Sequence, residues 1–189
     1  MPFDHFDFIA PVFSRVGYSG LETMLEMAAL PVKGRLLDAG GGTGRVAGLL
    51  RDYAGEVTIA DPSFGMLRQA DRSTLQLACS NSEALPFPDG TFERIIMVDA
   101  LHHVIHQGHT AREMYRVLQP GGRIIIEEPD IRVFGVKLIA LGEKLLMMRS
   151  HFLSPARIAD LFSFDSANVH IRSLDANAWI IIEKPARKV

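Results

Sequence analysis

The stretch Leu36-Leu37-Asp38-Ala39-Gly40-Gly41-Gly42-Thr43-Gly44-Arg45 leaves few folds open. An apolar run ends in an acid, passes into a glycine-rich turn, and continues with Val46, Leu49 and Leu50 at helical spacing. Strand, tight loop and helix start form the repeating unit of open α/β sheets, which bind ligands outside the carboxyl ends of their strands. Glycines in such a turn permit positive φ and let a ligand approach where a Cβ would otherwise stand. The stretch therefore predicts a small molecule of nucleoside type at the end of the first strand.

The rest of the chain repeats this alternation. Val57 to Ala60 is a short β-branched run ending at Asp61, and Ser63 is placed to cap a helix running to Ala70 with Met66, Leu67 and Ala70 inward. Leu75 to Ala78 reads as a third strand. Pro86, Pro88 and Asp89-Gly90 mark a turn before a fourth strand, Phe92 to Val98. Thr110 to Leu118 reads as a helix that Pro120-Gly121-Gly122 stops, and Arg123 to Glu127 reads as a fifth strand. Strands alternating with helices imply βαβ units, and near-continuous apolar strands imply a parallel sheet covered on both faces. In the tail, Val133 to Met148 reads as a helix and Ser154 caps another running to Phe162. Asn168 to Ser173 and Trp179 to Glu183 then read as an antiparallel hairpin closing a sheet edge. No linker or change of composition interrupts residues 1–189, so one domain is expected.

Composition excludes several classes. Apolar residues make up 48% of 189, enough for a buried sheet, and the formal net charge of −2 offers no basic excess for a nucleic-acid backbone. A single cysteine, Cys79, excludes an intrachain disulfide and a cysteine-rich zinc site, and is expected to be a small core residue. Val133 to Met148 is apolar but carries Lys137, Glu143 and Lys144, which argues against a bilayer span. The start, Met1 to Asp7, has two acids and no basic region, unlike a signal peptide, so a cytoplasmic protein is expected.

Two known loops compete for the glycines. A phosphate-binding P-loop requires a Lys-Ser or Lys-Thr pair where Arg45-Val46 stands. A dinucleotide fingerprint is met in one register by Gly42-Thr43-Gly44-Arg45-Val46-Ala47, with Asp61 downstream, but an acid and two glycines separate it from the strand.

Leu36 to Leu50 resembles the first motif of the class I S-adenosylmethionine-dependent methyltransferases, and further motifs follow at that family's spacing. They are Asp61-Pro62-Ser63-x-x-Met66, the run from Asn81-Ser82-Glu83 to Asp89-Gly90-x-Phe92, Leu101-His102-His103-Val104, and Arg112-Glu113-Met114-x-Arg116-Val117-Leu118-x-Pro120-Gly121-Gly122. The resemblance covers about half of the chain and is nearest to the small-molecule branch containing the ubiquinone and menaquinone biosynthesis enzymes. It implies a three-layer Rossmann-like fold with a mostly parallel seven-stranded sheet and an antiparallel carboxyl-terminal hairpin. It also implies S-adenosylmethionine as cofactor and a small-molecule methyl acceptor, with a homodimer left open.

By the same resemblance, Asp38, Gly40, Gly41, Gly42, Thr43 and Gly44 hold the methionine part of the cofactor. Asp61 accepts from the ribose diol, Pro62, Met66 and Val98 line the site, and the backbone amide of Ser82 meets the adenine ring. Asn81 stands where the family usually has an acid; its carbonyl can still accept, without charge. Base candidates lie at strand ends: Asp99, His102 and His103 after the fourth, Glu127, Glu128 and Asp130 after the fifth. His103 is preferred because imidazole titrates near neutral pH, and Glu128 comes second. His102, His103, His106 and His109 form a dense cluster, but no metal site is expected, since no nearby cysteine completes a tetrahedral set. Residues 1–30, rich in aromatics, are expected to form a helical cap, and residues 131–163 a helical insertion on the substrate side, together favouring an apolar or aromatic acceptor. The alternatives are a nicotinamide-dependent oxidoreductase and a methyltransferase-like binding protein without turnover.

Overall fold

A computed structural model of the chain describes residues 17–145, 150–163 and 167–186. The strands are β1 (Arg35–Ala39), β2 (Glu56–Asp61), β3 (Gln76–Cys79), β4 (Phe92–Val98), β5 (Leu118–Pro129), β6 (Asn168–Leu174) and β7 (Asn177–Glu183). The helices are α1 (Leu21–Met27), α2 (Ala47–Leu50), α3 (Phe64–Leu67), α4 (Gln107–Val117), α5 (Phe134–Leu145) and α6 (Pro155–Asp160). The strands form one sheet in the order β3-β2-β1-β4-β5-β7-β6, parallel except for β7, which is antiparallel to both neighbours. The direction of the sheet's neighbours reverses at β1, between β2 and β4, which is where such sheets open a ligand crevice.

Strand alternation divides the core in two. Leu37, Ile95, Ile124, Ile126, Ile180 and Ile182 point to one face, where Ala111 and Met114 of α4 and Ile158 of α6 cover them. Leu36, Ile96, Val98, Ile125, Trp179 and Ile181 point to the other, under Met24 and Met27 of α1, Leu50 of α2 and Leu67 of α3. This is the three-layer architecture expected, and it leaves the carboxyl ends of β1, β2 and β4 around one crevice.

Several elements differ in detail from the sequence reading. The Pro120-Gly121-Gly122 turn is absorbed into β5, which begins at Leu118; its pairing with β4 shifts register between Phe92 and Arg94. The Gly121 N–H donates to the Lys184 carbonyl at 2.9 Å and the Lys184 N–H to that of Gly122 at 3.1 Å, so the segment is held like sheet. Leu49 does not face the core: it is exposed, while Val46, Ala47 and Leu50 are buried. Cys79 is exposed, at the end of the edge strand β3. Ser63 and Ser154 do cap α3 and α6, accepting from the N–H groups of Met66 and Arg157, though both helices end sooner than read. The expected aromatic cap at 1–16 and the end of the insertion helix at Met147 and Met148 lie outside the described residues.

Candidate active site

A cavity of about 320 Å³ opens at the carboxyl ends of β1, β2 and β4. That is ample for a small ligand. The glycine loop forms its floor. Gly40 has φ +75°, and a Cβ there would stand 2.8 Å from that of Ala100, so the loop lies directly against the segment leaving β4. Gly40, Gly41, Gly42 and Thr43 line the cavity; Gly44 is buried behind them and does not.

Two acids organise the loop. Asp61 accepts from the Gly42 N–H through Oδ2 at 2.9 Å and from the Ser63 N–H through Oδ1 at 2.8 Å. It thereby ties the glycine loop to the start of α3. Asp38 is wholly buried. Its carboxyl is raised to about 7, first by burial and then by Asp61, while the Ala47 N–H and Arg45 pull it back. Its Oδ2 has no hydrogen-bond partner among the described residues, and Asp38 is among the residues that line the cavity. A buried acceptor left unmade costs about 1–3 kcal/mol.

Pro62 and Met66 line the next wall, with Asn81 and Ser82 beyond. The Asn81 side-chain carbonyl accepts from the Glu83 N–H at 3.0 Å, and Ser82 is buried with its hydroxyl 3.1 Å from that of Thr110. Val98 closes the floor. The sequence reading missed Arg45, Glu83, Ala100, Val104 and Ile105, which also line the cavity. Arg45, Glu83 and Val104 belong to the motifs themselves and the others adjoin them, so position along the chain was the available signal. It also missed a link across the sheet end. The Tyr18 hydroxyl donates to Glu127 at 2.6 Å, the Asn177 amide donates to the same carboxylate at 2.7 Å, and the Arg45 guanidinium lies 5.4 Å from the Tyr18 ring centre. Burial, followed by Glu127, pushes the Tyr18 hydroxyl far above the usual phenol range.

The base candidates separate sharply. His103 lines the cavity. Its imidazole is not poised near neutrality: burial, then the adjacent His102 ring, lowers it to about 3. Asp99, at φ +51°, also lines the cavity; burial, then Glu128, raises it, while Arg45 lies 3.4 Å away. Glu128 and His102 are buried behind the wall, Glu127 is taken up by Tyr18 and Asn177, and Asp130 pairs with Arg132 at 2.6 Å. Among the described residues, no group of three or more His, Cys, Asp or Glu could hold a metal ion.

Residues 37–126 match the family model described as a methyltransferase domain. Over that stretch, just under half of its length, the chain is similar to methyltransferase domains. The ubiquinone/menaquinone biosynthesis C-methyltransferase of Stenotrophomonas maltophilia is 39% identical over 105 residues, covering 50% of this chain and 42% of that protein. The chain thus spans less than half the length of such curated relatives. Among solved structures, an S-adenosylmethionine-dependent methyltransferase of Thermotoga maritima superimposes with a TM-score of 0.76 at 22% identity, covering 95% of this chain and 98% of that one. The [4+2]-cyclase SpnF aligns equally well, with a TM-score of 0.76 at 16% identity over 96% of this chain and 95% of its own. The methyltransferase-domain fold therefore does not by itself dictate the reaction. The comparisons favour neither the nicotinamide enzyme nor the silent binding protein.

Proposed function

We propose that this methyltransferase domain binds S-adenosylmethionine and transfers its methyl group to a small apolar or aromatic molecule. The observation that carries the reading is Asp38, a buried carboxyl with one unpartnered oxygen at the floor of the cavity. A cationic amino acid moiety is the ligand chemistry that relieves it. Asp61 is then placed for a ribose diol, Met66 offers a polarizable surface to adenine, and Asn81 and Ser82 provide polar groups at that end.

The cofactor, when bound, supplies an activated methyl on a sulfonium. What the chain supplies is alignment and a water-poor cavity. His103 remains uncharged across the physiological range, since its imidazole is lowered to about 3. At the cavity wall it offers a neutral, polar imidazole face to the acceptor, and as a base it is weak. The kinship with quinone-pathway C-methyltransferases supports a ring-bearing acceptor.

Calorimetry with S-adenosylhomocysteine is the direct test. Micromolar affinity, about −8 kcal/mol, is expected, with binding abolished in Asp61→Ala. Folded protein that takes up no S-adenosylhomocysteine contradicts the reading. The acceptor class is tested by incubation with methyl-labelled S-adenosylmethionine and a panel containing a prenylated hydroquinone, a catechol, an aromatic amine and an aliphatic carboxylic acid. Label transferred only to the carboxylic acid would overturn the apolar or aromatic assignment.

A further inference from the structure

Glu128 stands at the end of β5, where a base was sought, yet its carboxylate is committed elsewhere. Oε1 accepts from the backbone N–H groups of Ala100 at 2.9 Å and Leu101 at 2.7 Å. Oε2 lies 2.5 Å from His102 Nδ1, and both side chains are about 95% buried or more. A carboxylate can only accept, so with Glu128 ionised the hydrogen of this bond sits on Nδ1. One side chain thus fastens three consecutive residues of the segment leaving β4.

That segment is gripped from the other side as well. The Phe152 ring stacks on His102, with centres 4.3 Å apart and planes 12° from parallel. The His151 N–H donates to the His102 carbonyl at 2.6 Å, and the Gln107 amide donates to the carbonyls of both Leu101 and His151. The His103 ring lies 4.0 Å from that of His102, and its Nδ1 is 3.4 Å from the Ser150 hydroxyl. The same segment presents Ala100 to Gly40 and His103 to the cavity.

We propose that Glu128 and His102 are positioning residues: the buried pair fastens the β4 exit and, through it, sets the His103 ring in the cavity wall. The inference deepens the methyltransferase reading and rests on it for the role of the cavity. Neither residue lines the cavity, so both act through the β4 exit, which presents Ala100 and His103 to it. Losing the carboxylate frees three donors in a dry interior, and the local remedy is for the segment to open and hydrate them.

The test compares wild type, Glu128→Gln and Glu128→Ala by two readouts. The first is the rate at which diethyl pyrocarbonate modifies each histidine, resolved by mass spectrometry, with exposed His170 on β6 as internal control. The second is S-adenosylhomocysteine affinity by calorimetry. In Glu128→Ala the His103 rate is expected to rise about 10-fold, as local opening becomes easier by about 1.4 kcal/mol, with His170 unchanged. Glu128→Gln is expected to fall between, because its amide oxygen still accepts from the Ala100 and Leu101 N–H groups. Its cofactor affinity is expected to stay within about 3-fold of wild type, a difference below about 0.7 kcal/mol. An unchanged His103 rate in both variants overturns the proposal. So does a Gln variant in which affinity and melting temperature collapse together with the control, since that marks Glu128 as a general fold residue. If Glu128→Ala does not fold, the Gln variant decides alone. Wild type that binds no S-adenosylhomocysteine defeats the methyltransferase reading, while the histidine comparison still reports on the positioning pair.

Discussion

Asp38 is the residue at which stability and binding pull against each other. Its folded value of about 7 lies above the ordinary carboxyl value of 3.8. Between those values the folded chain holds a proton that the unfolded chain has released. The stability this group contributes is therefore complete below about pH 4 and is lost as pH rises through 7, by roughly 4 kcal/mol at most. Asp38→Asn is expected to raise the melting temperature of the ligand-free chain more at pH 8 than at pH 5, yet to weaken S-adenosylhomocysteine at least about 10-fold by removing a charged partner worth over ~1.4 kcal/mol. Thermal melts at both pH values, with calorimetry, check this; a variant that is no more stable at pH 8 than wild type contradicts it. Gly40 makes a complementary case through backbone rather than charge. Gly40→Ala places a Cβ at 2.8 Å from Ala100 on a residue at φ +75°. Cofactor affinity should fall by about 10-fold or more as the loop shifts, given the cost of positive φ for a residue with a Cβ. Gly108→Ala, in α4 with open space around it, is the control, and should be neutral or slightly stabilising.

At the scale of elements, α4 does more than cover the sheet. Arg116 donates to the carbonyls of Leu85 at 3.0 Å and Phe87 at 2.8 Å, and pairs with Asp89 and Glu113 at 2.8 Å each; Glu113 in turn accepts from the Leu85 N–H at 2.9 Å. One guanidinium thus staples residues 85–89 to the helix, and this loop begins at Asn81 and Ser82 in the cavity wall. Arg116→Lys cannot reproduce the planar fork. It should lose about 2 kcal/mol in denaturant unfolding, or about 4–8 °C in melting temperature, with a smaller loss of cofactor affinity. A variant within about 0.5 kcal/mol of wild type would show the staple to be solvated surface. Elements like these were legible unequally. Apolar periodicity and Gly-Pro punctuation reveal the succession of strands and helices along the chain and the β6–β7 turn, because those signals are local. The loop contacts of Arg116, the burial of Glu128 and the absorption of Pro120-Gly121-Gly122 into β5 depend on partners about 26 to 63 residues away in sequence, which no local pattern encodes. The low basicity of His103 belongs to the same class: its residue type suggests a neutral-pH base, and burial beside His102 removes that property.

For the whole molecule, the two faces of the sheet cannot be separated energetically. Ile125 packs on one face while Ile124 and Ile126 pack on the other; Ile181 stands likewise between Ile180 and Ile182. Melting either core removes the strands that support its opposite, so we infer that the chain unfolds as one unit despite the insertion between β5 and β6. Trp179, the only tryptophan, makes this measurable: it is 3% exposed, on β7, paired in register with Glu127. Its fluorescence reports the face under α1, α2 and α3, whereas far-ultraviolet dichroism reports all elements. The two should trace one coincident transition. Ligand bound only by the folded state should move both together, by about 2.7 kcal/mol at one hundred times its dissociation constant. Fluorescence that shifts with S-adenosylhomocysteine while dichroism melts earlier and unshifted would show that elements away from the Trp179 face unfold apart from the cofactor site. Coincidence under both conditions ties the glycine loop at β1 to a strand pair that follows it by more than a hundred residues.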